Sequence, residues 1–542
     1  MKHLRTDRPA AWPMSIIASI VLLGMLLAGC SFPGTSNTTA STPGANQHTP
    51  AGGGGVNPTP TPHPITSKPN TGKVNGGQPL PQNEIKPLTF NLAYNDAAME
   101  QDVAQMYTPG SPNYHQYLTP DQIVQRYALS DAQLQVVENW LRGNGFTIVS
   151  ADPLRLGIQV RASVATIEKA LNVQLRLYTI NLFGTSYSFF VQETDPVITG
   201  PVSAYIQSVV GLDSFAFPIF NPPGSITRAF ALQAADCAKY GARQTLTSSN
   251  LASAYQLDTL HSHGLMGQGM TIGVAEFGDP FDPKDVANYA ACAGAGVPNI
   301  QIVNVDGQLA PGSGEGEATL DLEMIAGLAP KAQILDYQAS LDTTSFAQSL
   351  VDVFNKVASD DRVQVLSVSY GTGESSFSIS EQDAINRSLR NLAAEGISVF
   401  ISSGDCAAFS NRVTNIAMVS FPASAPYAIA VGGTHLQVNS KGARTSEDVW
   451  SDRDFAPVCS NEWGSGGGVS QNSDFKRPAW QVGPGTTNHY DGTSALVFTN
   501  NLNPVVAPNG LRQVPDVAAA AFPNIAMYYK GAWIAVGGTS AA

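Results

Sequence analysis

Four carboxylates fall within nine residues at Glu315-Gly316-Glu317-Ala318-Thr319-Leu320-Asp321-Leu322-Glu323, and no Lys or Arg occurs between Lys284 and Lys331. A solvated helix face is rarely written that way. Glu317 and Asp321 stand four residues apart, on one face of a helix, where two ionised carboxylates repel by roughly 0.2–0.5 kcal/mol. If they share a proton instead, one can act as a base while the other orients and tunes it. The same residues would also serve as an acidic first turn favoured by the helix dipole. A nucleophile is offered by Gly537-Gly538-Thr539-Ser540. The glycines let backbone approach a ligand, and a helix starting at the serine would turn its N–H groups toward a developing anion. A third candidate is Ser402-Ser403-Gly404-Asp405, a strand running into a glycine turn that delivers Asp405 to a sheet edge; an Asp after Gly is also a common turn residue. None of the eight histidines sits in a setting that suits a general base: His3, His48, His63 and His115 fall in the N-terminal third, His261 and His263 in a Ser/Gly-rich stretch, and His435 and His489 are isolated. The base for Ser540 is therefore read as a carboxylate.

These residues need a scaffold that brings distant segments together. Beyond residue 245, strands are predicted at 270–275, 300–305, 333–337, 363–368 and 398–402, separated by helical stretches such as 344–359 and 380–395. Short apolar strands alternating with helices indicate an α/β fold with a parallel sheet covered on both faces, and active sites in such sheets lie at the carboxyl ends of the strands. Residues 86–215 read differently. A strand at 88–94 and a helix at 97–107 precede a capping box at Ser130-Asp131-Ala132-Gln133, which opens a helix with Leu134, Val137 and Leu141 on one face. Strands at 147–150 and 156–160, a helix at 163–171 and β-rich sequence to 192 complete an α+β unit with helices on an antiparallel sheet. Residues 216–245 mix Pro, Gly and small residues and form a junction.

The 542 residues carry a net charge of −13, with only 13% charged side chains. No basic stripe is present to neutralise phosphates, which excludes nucleic acid as an expected partner. A sparsely charged surface suits acid, because it accumulates little positive repulsion when carboxylates protonate; compositional drift would look the same. Lys2, Arg5 and Arg8 precede an apolar run at 14–28 that is short for a membrane span and right for a signal segment. It ends Leu27-Ala28-Gly29-Cys30, which resembles a bacterial lipobox with Cys30 as the lipidated residue, although an ordinary cleaved signal could end the same way. Residues 31–85 are Pro-, Gly-, Thr- and Ser-rich and read as a disordered tether from a membrane anchor on the extracellular face. Setting Cys30 aside, Cys237, Cys292, Cys406 and Cys459 allow three disulfide pairings, or free thiols. Their spacing resembles no zinc site.

Taken in order, residues 86–542 resemble the pro-form of the sedolisin (serine-carboxyl peptidase) family, of the kumamolisin type. The resemblance rests on Glu317-Ala318-Thr319-Leu320-Asp321, Ser367-Val368-Ser369-Tyr370-Gly371, Ser403-Gly404-Asp405, Phe421-Pro422-Ala423-Ser424-Ala425-Pro426-Tyr427, Gly432-Gly433-Thr434, Gly466-Gly467-Gly468-Val469-Ser470, Val514-Pro515-Asp516-Val517 and Gly538-Thr539-Ser540. In the first unit Ser111-Pro112-Asn113-Tyr114-His115-Gln116-Tyr117-Leu118-Thr119 resembles the family's activation domain. The resemblance implies a subtilisin-like doubly wound sheet at 246–542, preceded by a ferredoxin-like activation prodomain at 86–215.

It further implies a secreted endopeptidase made as a zymogen. Ser540 would attack the scissile carbonyl, Glu317 would take its proton, Asp321 would hold Glu317, and a protonated Asp405 would donate to the oxyanion. Carboxyl groups with ordinary values of ~4.3 and ~3.9 would be poised near pH 3–5. Glu276 matches a position that extends the proton network in some members, and Tyr370 stands where those members carry Trp. Ser369, Tyr370, Gly371 and Gly466 to Gly468 would bind the peptide, the glycines by close backbone approach, unless they form only a looped edge. The partners implied are protein or peptide substrates and the chain's own propeptide, an intramolecular inhibitor cut in the junction after an acid trigger, on a monomer. The family pattern continues past Ala542 with small residues, a Pro and a calcium-binding loop. On that reading the chain is C-terminally truncated, holds no cofactor or metal itself and is weakly active or inactive; the alternative is an inactive surface lipoprotein derived from such a peptidase.

Overall fold

The computed structural model describes residues 77–182, 185–216, 228–229, 245–309, 316–342, 344–410, 418–452, 463–482, 510–522 and 525–542. Cys30, the tether up to residue 76, most of the junction, Cys237, Cys459, Glu315 and His489 lie outside the described residues. Among the described residues no helix is long and apolar enough to cross a membrane.

The first unit is built from β1 (Ile85–Leu92), α1 (Asp96–Met106), α2 (Pro120–Tyr127), α3 (Asp131–Gly143), β2 (Thr147–Ala151), β3 (Gly157–Ser163), α4 (Val164–Leu171), a β4–β5 hairpin (Leu175–Leu182 and Thr185–Gln192) and β6 (Ile206–Val210). The sheet runs β2-β3-β1-β6, all antiparallel, which is the ferredoxin-like order. Its core gathers Leu88, Phe90, Leu92, Val137, Leu141, Ile158, Val160, Ile167 and Leu171. The Ser130 capping box opens α3 as its sequence requires. Helix α2 is an addition to the predicted elements, although Thr119 and Gln122 form a second capping box there.

The second unit alternates strand and helix: α5 (Ser248–Ala254), β7 (Thr271–Phe277), α6 (Pro283–Cys292), β8 (Asn299–Asn304), α7 (Gly316–Leu328), β9 (Gln333–Ala339), α8 (Phe346–Asp360), β10 (Val365–Val368), α9 (Ile379–Ala394), β11 (Ser398–Ser402), β12 (Ile429–Val438), β13 (Arg444–Val449), β14 (Val517–Phe522), β15 (Ile525–Tyr529) and β16 (Ala532–Val536). The main sheet runs β8-β9-β7-β10-β11-β12-β13, with β14 also pairing parallel to β12; all its pairs are parallel except β12 with β13. The strand order steps to either side of β7, the doubly wound arrangement. Alternate residues of β7 feed different layers: Val274 packs with α6 and α7, Ala275 with α8 and α9. Ala275 lies opposite Val368, and Val368 opposite Ile401, so β7, β10 and β11 leave the sheet at one level. Chain segments 276–279, 369–371 and 402–405 therefore emerge side by side at the carboxyl edge.

The two units share a core. Met99, Val103, Met106 and Ile123 of α1 and α2 belong to the same cluster as Val353, Phe354, Ile385 and Leu389 of α8 and α9. Polar contacts bind the same surface: Arg387 Nε donates to Asp96 Oδ1 at 3.0 Å, Arg390 donates to the same carboxylate, and Thr89 Oγ1 donates to Asp352 at 2.9 Å. The Leu118 N–H and the Tyr107 hydroxyl donate to the carbonyls of Ala394 and Ala393, each at 2.9 Å.

Candidate active site

The helix that carries the acidic run, α7, is apolar on nearly every side, with Ala318, Leu320, Leu322, Met324 and Ala326 buried. Its acids are thus held inside the molecule rather than in solvent. Asp321 and Glu323 are buried and Glu317 is half-buried beside Ser540. Burial, then the charge of Asp321, pushes Glu317 well above the usual carboxylate range; the Ser540 hydroxyl opposes the shift. Burial likewise pushes Asp321 up to about 8, with the Ser369 hydroxyl opposing and the charges of Asp279 and Asp336 adding to the rise. Glu317 Oε1 and both oxygens of Asp321 are buried without a full hydrogen bond. Two neighbouring carboxyls so placed cannot both ionise readily.

Ser540 reaches this pair from a hairpin. β15 and β16 pair antiparallel, and the chain then turns through Gly537 and Gly538, the latter at φ 151° with its N–H on the Ala521 carbonyl at 3.0 Å. The next residue fixes the turn: Asp405 Oδ1 accepts from the Thr539 N–H at 2.7 Å and from its hydroxyl at 2.8 Å, while Thr539 Oγ1 accepts from the Gly404 N–H at 3.2 Å. Ser540 itself lies in a turn, with the Ala541 N–H on the Gly538 carbonyl at 3.2 Å. Glu317, Ser369, Gly371, Ser402, Gly404, Asp405, Thr539 and Ser540 line one cavity. Segments spread over more than 200 residues of sequence thus meet at the sheet's carboxyl edge.

Other expected residues take more varied places. Tyr370 turns inward and its hydroxyl donates to Glu276 Oε2 at 2.5 Å, while Ser369 and Gly371 remain on the cavity wall. Burial, then the charges of Asp321, Asp336 and Asp279, raises Glu276 well above its ordinary value, and Tyr370 opposes the rise. The close approach at Gly466 is made by the chain's own backbone: a Cβ there would stand 2.0 Å from the Ser403 carbonyl oxygen, and the Gly466 N–H donates to Gly404 at 2.6 Å. Gly468 pairs with Val514 in a short antiparallel ladder, and Gly467 lies over Val514 and Pro515. Cys292 and Cys406 are both disulfide-bonded, the latter next to Asp405.

Sequence reasoning missed Asp279 and Asp336. Asp279 Oδ2 accepts the N–H groups of Glu317 and Ala318 at 2.8 and 3.1 Å, and Asp336, pushed up to about 7 by burial, accepts from Gln338 at 2.6 Å. A Gly-Asp pair after a strand was the available signal for Asp279, but its partners lie 38 and 39 residues away. Among the described residues no group of three or more His, Cys, Asp or Glu side chains is arranged to hold a metal ion.

Comparison with known proteins adds an independent line. The model for the pro-kumamolisin activation domain matches residues 72–215, and the subtilase family model matches residues 288–542. The chain is 28% identical to kumamolisin from Bacillus sp. (strain MN-32) over 415 residues, covering 75% of this chain and 68% of the relative. It is 27% identical to sedolisin from Pseudomonas sp. (strain 101) over 483 residues, covering 85% and 75%. Among solved structures, Pseudomonas sedolisin in complex with two molecules of pseudo-iodotyrostatin is similar over 55% of this chain and 77% of that one, with 26% identity and a TM-score of 0.44.

Proposed function

This chain belongs to the sedolisin family of serine-carboxyl peptidases, with a pro-kumamolisin activation domain ahead of its peptidase domain, and from that premise we propose that it is an acid-acting endopeptidase using Ser540, Glu317, Asp321 and Asp405. The observation that carries the assignment is the meeting of Ser540, Glu317 and Asp405 in one cavity, with Asp321 one helical turn beyond Glu317 and the turn of the serine pinned by Asp405. As the Ser540 oxygen bonds to the scissile carbonyl carbon, its proton passes to Glu317, and Asp321 keeps Glu317 oriented. The carbonyl oxygen becomes an oxyanion. Because Asp405 Oδ1 already accepts two bonds from Thr539, a proton donated to that oxyanion sits on Oδ2. Collapse of the intermediate breaks the C–N bond, and Glu317 returns its proton to the leaving amine. Water then enters by the same steps in reverse order, releasing the acid and restoring Ser540.

Burial adjusts the expected window. A base must lose its proton to act, and both members of the pair are raised, so the acid limb of the rate profile lies above the ordinary ~4.3 of a glutamate. The first unit acts as the inhibitory prodomain. Its support is the shared core, together with pairing of junction residues Arg228–Ala229 with β16, a few residues before Ser540. Export and lipidation at Cys30 belong to the same proposal and rest on the signal-like N-terminus.

The decisive measurement is kcat/KM on an internally quenched peptide from pH 3 to 7, using the full chain. Ser540→Ala and Glu317→Gln are each expected to lower it by on the order of 10⁴-fold or more. Activity that survives Ser540→Ala would overturn the assignment. Release of Cys30→Ala protein from the membrane fraction tests the anchor.

A further inference from the structure

We propose that Asp279 is a positioning residue for the peptidase reaction, one that fixes where Glu317 stands and how much negative charge surrounds it. The inference rests on the reading of Glu317 as the general base. After β7 the chain turns at Gly278, at φ +74°, a conformation that side-chain-bearing residues adopt with strain. The turn brings Asp279, 1% exposed, to the N-terminus of α7. There one carboxylate oxygen accepts the N–H of Glu317 itself at 2.8 Å and that of Ala318 at 3.1 Å. These are two of the four donors that a helix start leaves without an intrahelical acceptor. A first-turn residue is the most prone to fray, and Glu317 is such a residue. The bond from its own N–H holds its Cα, and through the rigid helix it sets the direction from which Asp321 is presented. The cap arrives from the strand that carries Glu276, so one short segment ties β7 to the helix of the base.

The second effect is electrostatic. The groups around Asp279 are Glu276 on β7, Glu317 and Asp321 on α7, and Tyr370 after β10; Asp336 on β9 faces Glu276 and Asp321, and Asp405 faces Glu317. The negative charge of Asp279 adds to the rise of both Glu317 and Asp321. That charge opposes loss of the proton from Glu317 and from Asp321. Position and charge can be separated by substitution. Asn keeps an oxygen for the two N–H groups and removes the charge, whereas Ala removes both.

The experiment measures kcat and KM against pH for the full chain and for its Asp279→Asn, Asp279→Ala and Ser540→Ala variants. Removing a neighbouring negative charge makes deprotonation of the pair easier, so Asp279→Asn is expected to move the acid limb to lower pH by about one unit, with kcat at its optimum close to that of the parent. Asp279→Ala is expected to lose on the order of 100-fold in kcat at every pH, with KM little changed, because the base is misplaced. If the Ala variant fails to fold, the Asn profile decides alone. An unmoved limb in Asp279→Asn, in an enzyme that Ser540→Ala inactivates, would sink the proposal and leave the assigned nucleophile standing. Activity retained by Ser540→Ala would instead overturn the underlying reading, and this proposal with it.

Discussion

Tyr370 and Glu276 show how much of this site depends on single oxygen atoms. The Tyr370 ring packs edge-on against Phe277, and its hydroxyl supplies a 2.5 Å bond to Glu276 Oε2, whose companion oxygen is buried without a partner. A buried acceptor that loses its donor keeps its full desolvation cost. Tyr370→Phe is therefore expected to destabilise the fold by about 1–3 kcal/mol, read by urea unfolding in the Ser540→Ala background, where self-digestion cannot intervene. The same change removes the group that opposes the rise in Glu276, so Glu276 will hold its proton to still higher pH. A wild-type unfolding midpoint would show that the hydroxyl contributes nothing. In the sequence Glu276 is one acid after a predicted strand and Tyr370 an unexpected substitute for Trp; only the β7–β10 register makes them partners.

At the scale of elements, α7 serves two sides of the site at once. Glu317 and Asp321 share one face, and Glu323, two residues on, points about 200° away. There its Oε2 accepts the Tyr528 N–H at 2.9 Å, while Asp285 of α6 accepts the Lys530 N–H at 2.6 Å at the tip of the same hairpin. The hairpin then delivers Ser540. One helix thus fixes the base directly and the nucleophile through a strand. Glu323→Ala strands the Tyr528 N–H and is expected to cost about 1–3 kcal/mol of stability and to lower kcat more than it raises KM; Glu323→Gln, which keeps the acceptor, should restore both. Equal kinetics for the two variants would refute the link. The acidic run was legible because i and i+4 spacing is local, as was the helix start at Ser130, whose capping partner lies three residues on. The partners of Asp279 and Glu323 are backbone N–H groups 38 and 205 residues distant, and no local pattern encodes them. Strand β12 escaped for another reason: its run is interrupted by Gly432 and Gly433, where a Cβ would meet Pro515 at 2.7 Å and Ala521 at 2.6 Å. Glycine there records close packing of neighbours, which reads in one dimension as a turn.

For the molecule as a whole, the buried carboxyls give stability a direction in pH. Burial pushes Asp336 and Asp152 up to about 7, Asp213 and Asp352 to about 6, and Glu395 to about 9. Several of them join the two units. Asp213 is hydrogen-bonded to Glu381 of α9, Asp152 accepts from Ser359 of α8 at 3.1 Å, and Asp352 accepts from Thr89 of β1. A carboxyl whose folded value exceeds its unfolded value of roughly 4 lends full stability below that pH, and loses it as pH rises through the folded value. The loss should therefore run from about pH 4 through 6–9. Asp96 acts in the opposite sense: although burial alone would raise it, Arg387 and Arg390 hold it below the ordinary value, so its contribution disappears only in stronger acid. The Ser540→Ala chain is expected to melt at its highest temperature near pH 4–5 and at progressively lower temperatures up to pH 8, because a proton held tenfold more tightly by the folded chain than by the unfolded one is worth about 1.4 kcal/mol. Since the groups are buried, added salt should leave the slope largely intact, which distinguishes them from surface charge. The double variant Asp213→Asn with Glu381→Gln should flatten the curve between pH 4 and 6. A melting temperature that stays level or climbs from pH 5 to 8 in the parent would mean that these carboxyls are solvated in solution.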